Sequence, residues 1–97
     1  MTIKIYQASK NFYQQCCHLS LPYELKGQLS RASASIALNI AEGYGRISKK
    51  DKKRFYRIAL GSLRECSAVL DLANIQDPNL LTTADYLGGG LYKLINR

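Results

Sequence analysis

The chain has 97 residues, a net charge of +7 and 46% hydrophobic residues. This length allows one compact domain, burying roughly 60–70% of the surface its unfolded form exposes, with little room for a deep substrate cavity in one subunit. The hydrophobic share excludes a disordered basic tail, and no uncharged apolar run approaches the roughly 20 residues of a membrane span. The first residues, MTIKIYQASK, hold no apolar block followed by a small-residue cleavage site, so no signal peptide is expected. Cys16, Cys17 and Cys66 are an odd set with two members adjacent, which is not a disulfide framework. They read as thiols of a reducing compartment, hence the cytoplasm.

Strand signals are nearly absent: the chain has one Val and three Thr, and no alternating run bounded by turn residues. Helical spacing recurs four times. Ile5, Ala8, Phe12, Cys16 and Leu19 form an apolar stripe, with Lys4, Gln7, Asn11, Gln14 and His18 on a polar one. This predicts an amphipathic helix over about 3–19, ended near Pro22. A second helix, about 24–43, carries Leu25, Leu29, Ala32, Ile36 and Ile40. Residues 32–41 hold no charge, so this helix is expected to be covered on more than one side, and Gly43 reads as its C′ residue.

Ser48, with Asp51 three positions on, predicts the N-cap of a third helix over about 49–74. Its expected core seam is Phe55, Ala59, Ser62, Leu63, Cys66, Leu70 and Ala73. Asp77-Pro78-Asn79 reads as a turn. Thr82 or Thr83 then caps a fourth helix to about 96, in which Gly88, Gly89 and Gly90 suggest a kink, since each costs about 1 kcal/mol relative to Ala. The fold expected is an all-α, antiparallel up-down-up-down four-helix bundle, forming a single domain over residues 1–97.

The charge is concentrated. Residues 46–64 hold eight basic residues against Asp51 alone, which equals the whole net charge; the rest of the chain has six of each sign. Lys50, Arg54, Arg57, Gly61 and Arg64 share one side of the third helix. Such a block is a solvated helix face, a footprint for nucleic-acid phosphates, or, less well supported because the neighbouring apolar residues are needed for a core, an anionic-membrane contact. The candidate phosphate contacts are Arg46, Lys49, Lys50, Lys53, Arg54, Arg57 and Arg64. Tyr44 and Tyr56 beside them either stack unpaired bases or pack against protein.

Arg31, Asn39, Glu42, Ser62 and Glu65 are the expected structural polar network. Glu42 lies in the last turn of its helix, where the dipole disfavours a negative charge. Glu65 lies on a stripe with Ile58, Ser62, Val69 and Leu72 and is expected to be at least half buried. Burial demands a partner, so the pairs expected are Arg31–Glu65 and Glu42–Arg54, or Glu42–Arg46. In an antiparallel register the two carboxylates fall about four turns, roughly 22 Å, apart, too far to act on one bond within a subunit. Consecutive Cys16, Cys17 and His18 diverge by about 100° per residue, so no metal site is expected. Gly43-Tyr44-Gly45-Arg46-Ile47-Ser48 lacks the strand and third glycine of a dinucleotide fingerprint, and no cofactor is expected.

Gln28-Leu29-Ser30-Arg31-Ala32, the run from Ser35 to Arg46, Arg54-Phe55 and the run from Ile58 to Glu65 together resemble the family of 23S rRNA intervening-sequence proteins, over about residues 5–95. The resemblance implies an antiparallel four-helix bundle, assembly as a homopentamer, and no established enzymatic activity. It also extends distantly to the accessory variability determinant of diversity-generating retroelements, a basic bundle that binds nucleic acid and a reverse transcriptase. This chain departs from the pattern in a shorter N-terminal segment and in Gly88–Gly90. The function expected is non-enzymatic nucleic-acid binding by a homo-oligomer, with RNA favoured over DNA and a reverse transcriptase or ribonucleoprotein as the candidate partner. The alternative is an oligomeric adaptor for a protein partner.

Overall fold

The computed structural model describes residues 3–97, so residues 1 and 2 of the expected domain lie outside it. Four helices account for most of the chain: α1 (Lys4–Cys17), α2 (Tyr23–Tyr44), α3 (Lys49–Leu72) and α4 (Pro78–Ile95). Each packs on two neighbours, α1 and α3 both against α2 and α4, which closes a ring about 40 Å long and 22–23 Å across. Gly43 meets Tyr56, Ser35 meets Ser62 and Gln28 meets Glu65, so α2 and α3 run in opposite directions. Leu63 beside Gly88 and Lys53 beside Arg97 give the same relation for α3 and α4. Among the described residues, no helix is long and apolar enough to cross a membrane.

The core runs down the ring's axis. Phe12, Leu29, Ile36, Ile40, Leu70, Leu87 and Leu91 are almost wholly buried, each stabilising the fold by roughly 1.5–3 kcal/mol. Ser9 and Ser33 are buried with them, and each hydroxyl donates to a carbonyl of its own helix, Tyr6 at 2.7 Å and Leu29 at 2.7 Å. Small side chains there let helices approach without leaving a polar group unpaired.

Several expectations are corrected. The core seam of α3 is shifted by one residue at its start: Tyr56 is buried, whereas Phe55 stands outside the core cluster. Gly43 is not a C′ residue but lies inside α2, where an added Cβ would sit 2.7 Å from the Tyr56 ring and 3.2 Å from the Lys52 carbonyl. Its role is to let α2 and α3 touch. Helix α2 is covered on more than one side, as expected, by α1 and α3, and over residues 32–41 Leu38 alone is exposed, at 69%.

The fourth helix starts at Pro78, not at Thr82 or Thr83. Asp77 caps it by accepting from the N–H groups of Asn79 (3.0 Å) and Leu80 (3.4 Å), with Pro78 in the first turn. The helix continues through Gly88–Gly90 because packing outweighs propensity. A Cβ at Gly90 would meet Ile5 at 2.8 Å, so this glycine admits α1, whereas one at Gly88 would make only an ordinary contact with Leu63 at 3.6 Å. Helix α3 stops at Leu72 in a Schellman motif, with Asn74 at φ 57° and Ile75 donating back to the Leu70 carbonyl at 2.9 Å.

Candidate nucleic-acid interface

The predicted basic residues fall on two faces of α3 and on the elbow before it. Successive helical residues turn by about 100°. Lys50, Arg54, Arg57, Gly61 and Arg64 therefore share an outer face, and all are exposed. Lys49, Lys52, Lys53 and Tyr56 share a second face, about 100° round the helix. Lys50, Arg57 and Arg64 make no ion pair among the described residues. From Lys50 to Arg64 the outer face extends about 21 Å at 1.5 Å per residue.

Arg46 and Arg54 are engaged locally. Arg46 donates to Glu42 at 2.9 Å and reaches Asp51 at 3.9 Å, while Arg54 donates to Asp51 at 3.2 Å. Their guanidinium groups lie 4.8 Å and 4.3 Å from the centroid of the Phe55 ring. Phe55 is thus held in a cation–π contact with two arginines, which explains why an aromatic side chain can stay out of the core here. The four charges of this cluster cancel, so the elbow is an electrically neutral connection braced between α2 and α3 rather than a surplus of positive charge. Glu42 takes Arg46, the second of its two expected partners, and not Arg54.

Glu65 is exposed, contrary to the expectation of half burial, and accepts from Gln28 at 3.2 Å instead of pairing with Arg31. The Arg31 guanidinium folds back over Gly27 on its own helix. Of the other residues on the Glu65 stripe, Val69 is buried and Ser62 half-buried, whereas Ile58 and Leu72 are exposed, at 43% and 74%. The stripe therefore straddles the edge of the core, and Glu65 lies on its solvent side. Asn39 and Ser62 meet through a third residue: the Ser35 and Ser62 hydroxyls are 2.8 Å apart, and the Asn39 amide donates to the Ser35 carbonyl at 2.8 Å and to its hydroxyl at 3.0 Å. This half-buried chain of polar groups ties α2 to α3.

The inner basic face opens on one end of the bundle. A cleft of about 570 Å³ lies where the starts of α1 and α3 meet the ends of α2 and α4. Lys4, Lys49, Lys52, Lys53 and Arg97 supply its cations, and none of its lining side chains is acidic. Lys52 donates to the carbonyls of Tyr44 (2.9 Å) and Gly43 (3.5 Å), and Lys53 to that of Arg97 (3.1 Å). The Lys52 contact satisfies the carbonyl left open at the end of α2, and the Lys53 contact ties the start of α3 to the chain beyond α4. An ammonium has three protons, so both lysines keep donors for a ligand. Tyr56 packs its ring on Gly43 and is too buried to stack a base. Burial raises its hydroxyl pKa, opposed by the charge of Arg97 nearby. Tyr44 is half exposed, 5.7 Å from the Lys52 ammonium, and Ile47 is 99% exposed on the α2–α3 connection.

Lys52, Lys4 and Arg97 were not among the sequence candidates. Lys52 had a legible signal, the spacing 49, 52, 53, 56 of a single helix face. Lys4 and Arg97 had none, because only the closing of the ring brings both chain ends to the start of α3.

The family model for the 23S rRNA-intervening sequence protein matches residues 1–87. The chain belongs to that family. The matched region spans the elbow, both basic faces of α3 and all of the cleft except Leu94 and Arg97. No curated protein matches the chain. In this family member the thiols stand apart from the basic surfaces. Burial pushes Cys16 and Cys66 up to about 12, while Cys17 and His18 are exposed. No three His, Cys, Asp or Glu side chains among the described residues are grouped to hold a metal ion.

Proposed function

We propose that this chain is a non-enzymatic nucleic-acid-binding protein whose outer α3 face contacts the phosphates of RNA. The observation that carries the reading is the row of Lys50, Arg57 and Arg64, exposed, without ion pairs among the described residues, and about 21 Å long. An anionic backbone rewards such a row by counterion release. The name of the matching family, which refers to an intervening sequence of 23S rRNA, favours RNA over DNA. Phosphate contacts position a nucleic acid without reading its sequence, so sequence preference is weak. A cytoplasmic location fits both an RNA ligand and three unpaired thiols.

A second reading, a homo-oligomeric adaptor for a protein such as a reverse transcriptase, draws on the groove between α1 and α2. There Tyr6, Tyr13, Ala34, Ala37 and Leu38 form an apolar strip on the outside of the ring. Assembly through this strip is compatible with nucleic-acid binding by α3, and a pentamer is the favoured number.

The deciding experiment measures binding to structured RNA and duplex DNA across a salt series, with solution mass recorded in parallel. The wild type is expected to give a clearly negative log–log slope, to which each phosphate contact contributes about 0.7–0.9. The Lys50→Glu/Arg57→Glu/Arg64→Glu variant is expected to lose most of it at unchanged mass. A flat salt response in the wild type would leave the charge as a solvated face and favour the adaptor.

A further inference from the structure

The cleft at the basic end has features that a phosphate-tracking surface does not require. It is concave, within the roughly 300–1,000 Å³ range of small-ligand sites, and its floor is apolar, formed by Ile5, Tyr56 and Leu94. Its lip carries Ile47, a large apolar side chain left 99% exposed, and the half-exposed ring of Tyr44. Cationic groups surround these surfaces without an acidic side chain among the lining residues. The local fold accounts for one role of Lys52 and Lys53, the capping of carbonyls. It gives no role to Lys4 or Lys49, both exposed and unpaired among the described residues, nor to the solvated Ile47.

A ligand that satisfies both halves has a flat, weakly polar ring joined to a phosphate. We infer that the cleft binds one nucleotide unit, its phosphate among Lys49, Lys52 and Arg97 and its base against Tyr44 and Ile47. The unit is either a free nucleotide or the phosphorylated end of a single strand, since both present the same chemistry. Base stacking on an aromatic ring tolerates any base, so the cleft selects for an unpaired, phosphate-bearing nucleotide rather than for sequence. The inference rests on the nucleic-acid reading and deepens it: the outer face holds a backbone, and the cleft takes an unpaired unit of it about 100° round the same helix.

The test is a titration of the full chain followed by amide NMR, with adenosine 5′-monophosphate, adenosine and inorganic phosphate as probes. Two oligonucleotides of one sequence, with and without a 5′-phosphate, are titrated beside them. Adenosine 5′-monophosphate is expected to shift the amides of residues 44–49, adenosine to shift them little at the same concentration, and phosphate alone to bind at least tenfold more weakly. Tyr44→Ala is expected to weaken adenosine 5′-monophosphate about tenfold and to leave duplex binding unchanged. A strand end as the source gives tighter binding of the 5′-phosphorylated oligonucleotide than of its unphosphorylated form. A free nucleotide as the source gives equal binding of the two and retained binding of the monophosphate. The Lys50→Glu/Arg57→Glu/Arg64→Glu variant is expected to lose duplex binding while adenosine 5′-monophosphate still shifts residues 44–49. The inference is overturned if phosphate binds as well as the nucleotide, if Tyr44→Ala changes nothing, or if an acidic peptide displaces the nucleotide at equal concentration. Failure of the nucleic-acid reading looks different, with duplex binding insensitive to the three outer-face changes.

Discussion

The two ends of the bundle are built alike and differ in chemistry. Each end joins two helix starts to two helix ends, and each has a concave surface. At the basic end the cleft holds five cationic side chains and no acidic one. At the opposite end a smaller hollow of about 300 Å³ is lined by Ser67, Leu70, Asp71, Asn74, Ile75, Gln76 and Leu81, with one carboxylate and no cation. The helix ends are also closed differently. At the basic end Lys52 meets the open Tyr44 carbonyl of α2 and Lys53 the Arg97 carbonyl beyond α4, whereas at the other end α3 closes on itself through its Schellman turn and α4 is started by Asp77. The comparison teaches that a hollow at a helix junction comes with the fold. A site comes from which charges line it and from which donors remain unused.

The largest effect that could break the comparison is on binding. Lys50→Glu/Arg57→Glu/Arg64→Glu should reduce affinity for structured RNA by well over tenfold at low salt and the salt slope by about 1 per residue. The control is Asp71→Lys, a charge change of the same sign as the native surplus at the other end. It should leave the slope near the wild-type value, measured by fluorescence anisotropy over the same salt series. A gain equal to the loss from the triple variant would mean that net charge, not the placement of α3, drives binding.

Next in size is pH. Burial holds the Cys16 and Cys66 thiols at about 12 in the fold, against an ordinary value of 9.0. Between these values the unfolded chain has released protons that the folded chain retains. The stabilisation is therefore complete below about pH 9 and is lost as pH rises toward about 12, on the order of 1–2 kcal/mol per thiol by pH 10.5. Urea midpoints at pH 8 and pH 10.5 should show this decline. Cys16→Ala/Cys66→Ala should remove most of it, leaving the smaller part due to the buried Tyr56 hydroxyl, and Cys17→Ser, at an exposed position, should leave it unchanged.

Glycines sharpen the contrast between packed and open positions. Gly43→Ala forces a methyl group into the Tyr56 ring and against the Lys52 backbone, and should cost about 1–3 kcal/mol. Gly61→Ala meets nothing within 4 Å and should stabilise α3 by about 0.5–1 kcal/mol. Thermal midpoints should move in opposite directions; a destabilised Gly61→Ala would show that the outer face of α3 is covered in solution.

The smallest effects are at the caps. Ser48, which accepts from the Asp51 N–H at 3.0 Å, starts α3 at the basic end, and Asp77 starts α4 at the other. Replacing either by Ala should cost about 1 kcal/mol. Asp77→Ala should cost the more, because its carboxylate also faces the positive end of a helix dipole, and added salt should narrow the gap. Equal midpoints in low-salt denaturation would remove that electrostatic distinction.

Much of this protein could be read from local pattern. The polar stripe of α1, the apolar stripe of α2 and the Ser48 cap rest on interactions within one or two turns, so residue spacing determines them. The concentration of charge between Arg46 and Arg64 was equally plain, as were the residues that carry the family resemblance. At the start of α4 the local pattern is ambiguous, because Asp-Pro-Asn serves equally as a turn and as a helix cap with proline in the first turn; the structure uses it as the cap. Other features depended on tertiary structure. Phe55 is the more hydrophobic of two neighbouring aromatics, yet the contact with Gly43 places Tyr56 in the core and leaves Phe55 to two guanidinium groups. Glu65 found Gln28 because the register of α2 against α3 is set by that same close approach. The basic cleft is the clearest case. Lys4, Lys52 and Arg97 come from the start, middle and end of the chain, and like charges repel unless a core holds their helices in place. Burial of Ile36, Leu63, Leu87 and their neighbours holds them, and no local pattern records which distant residues such burial brings together.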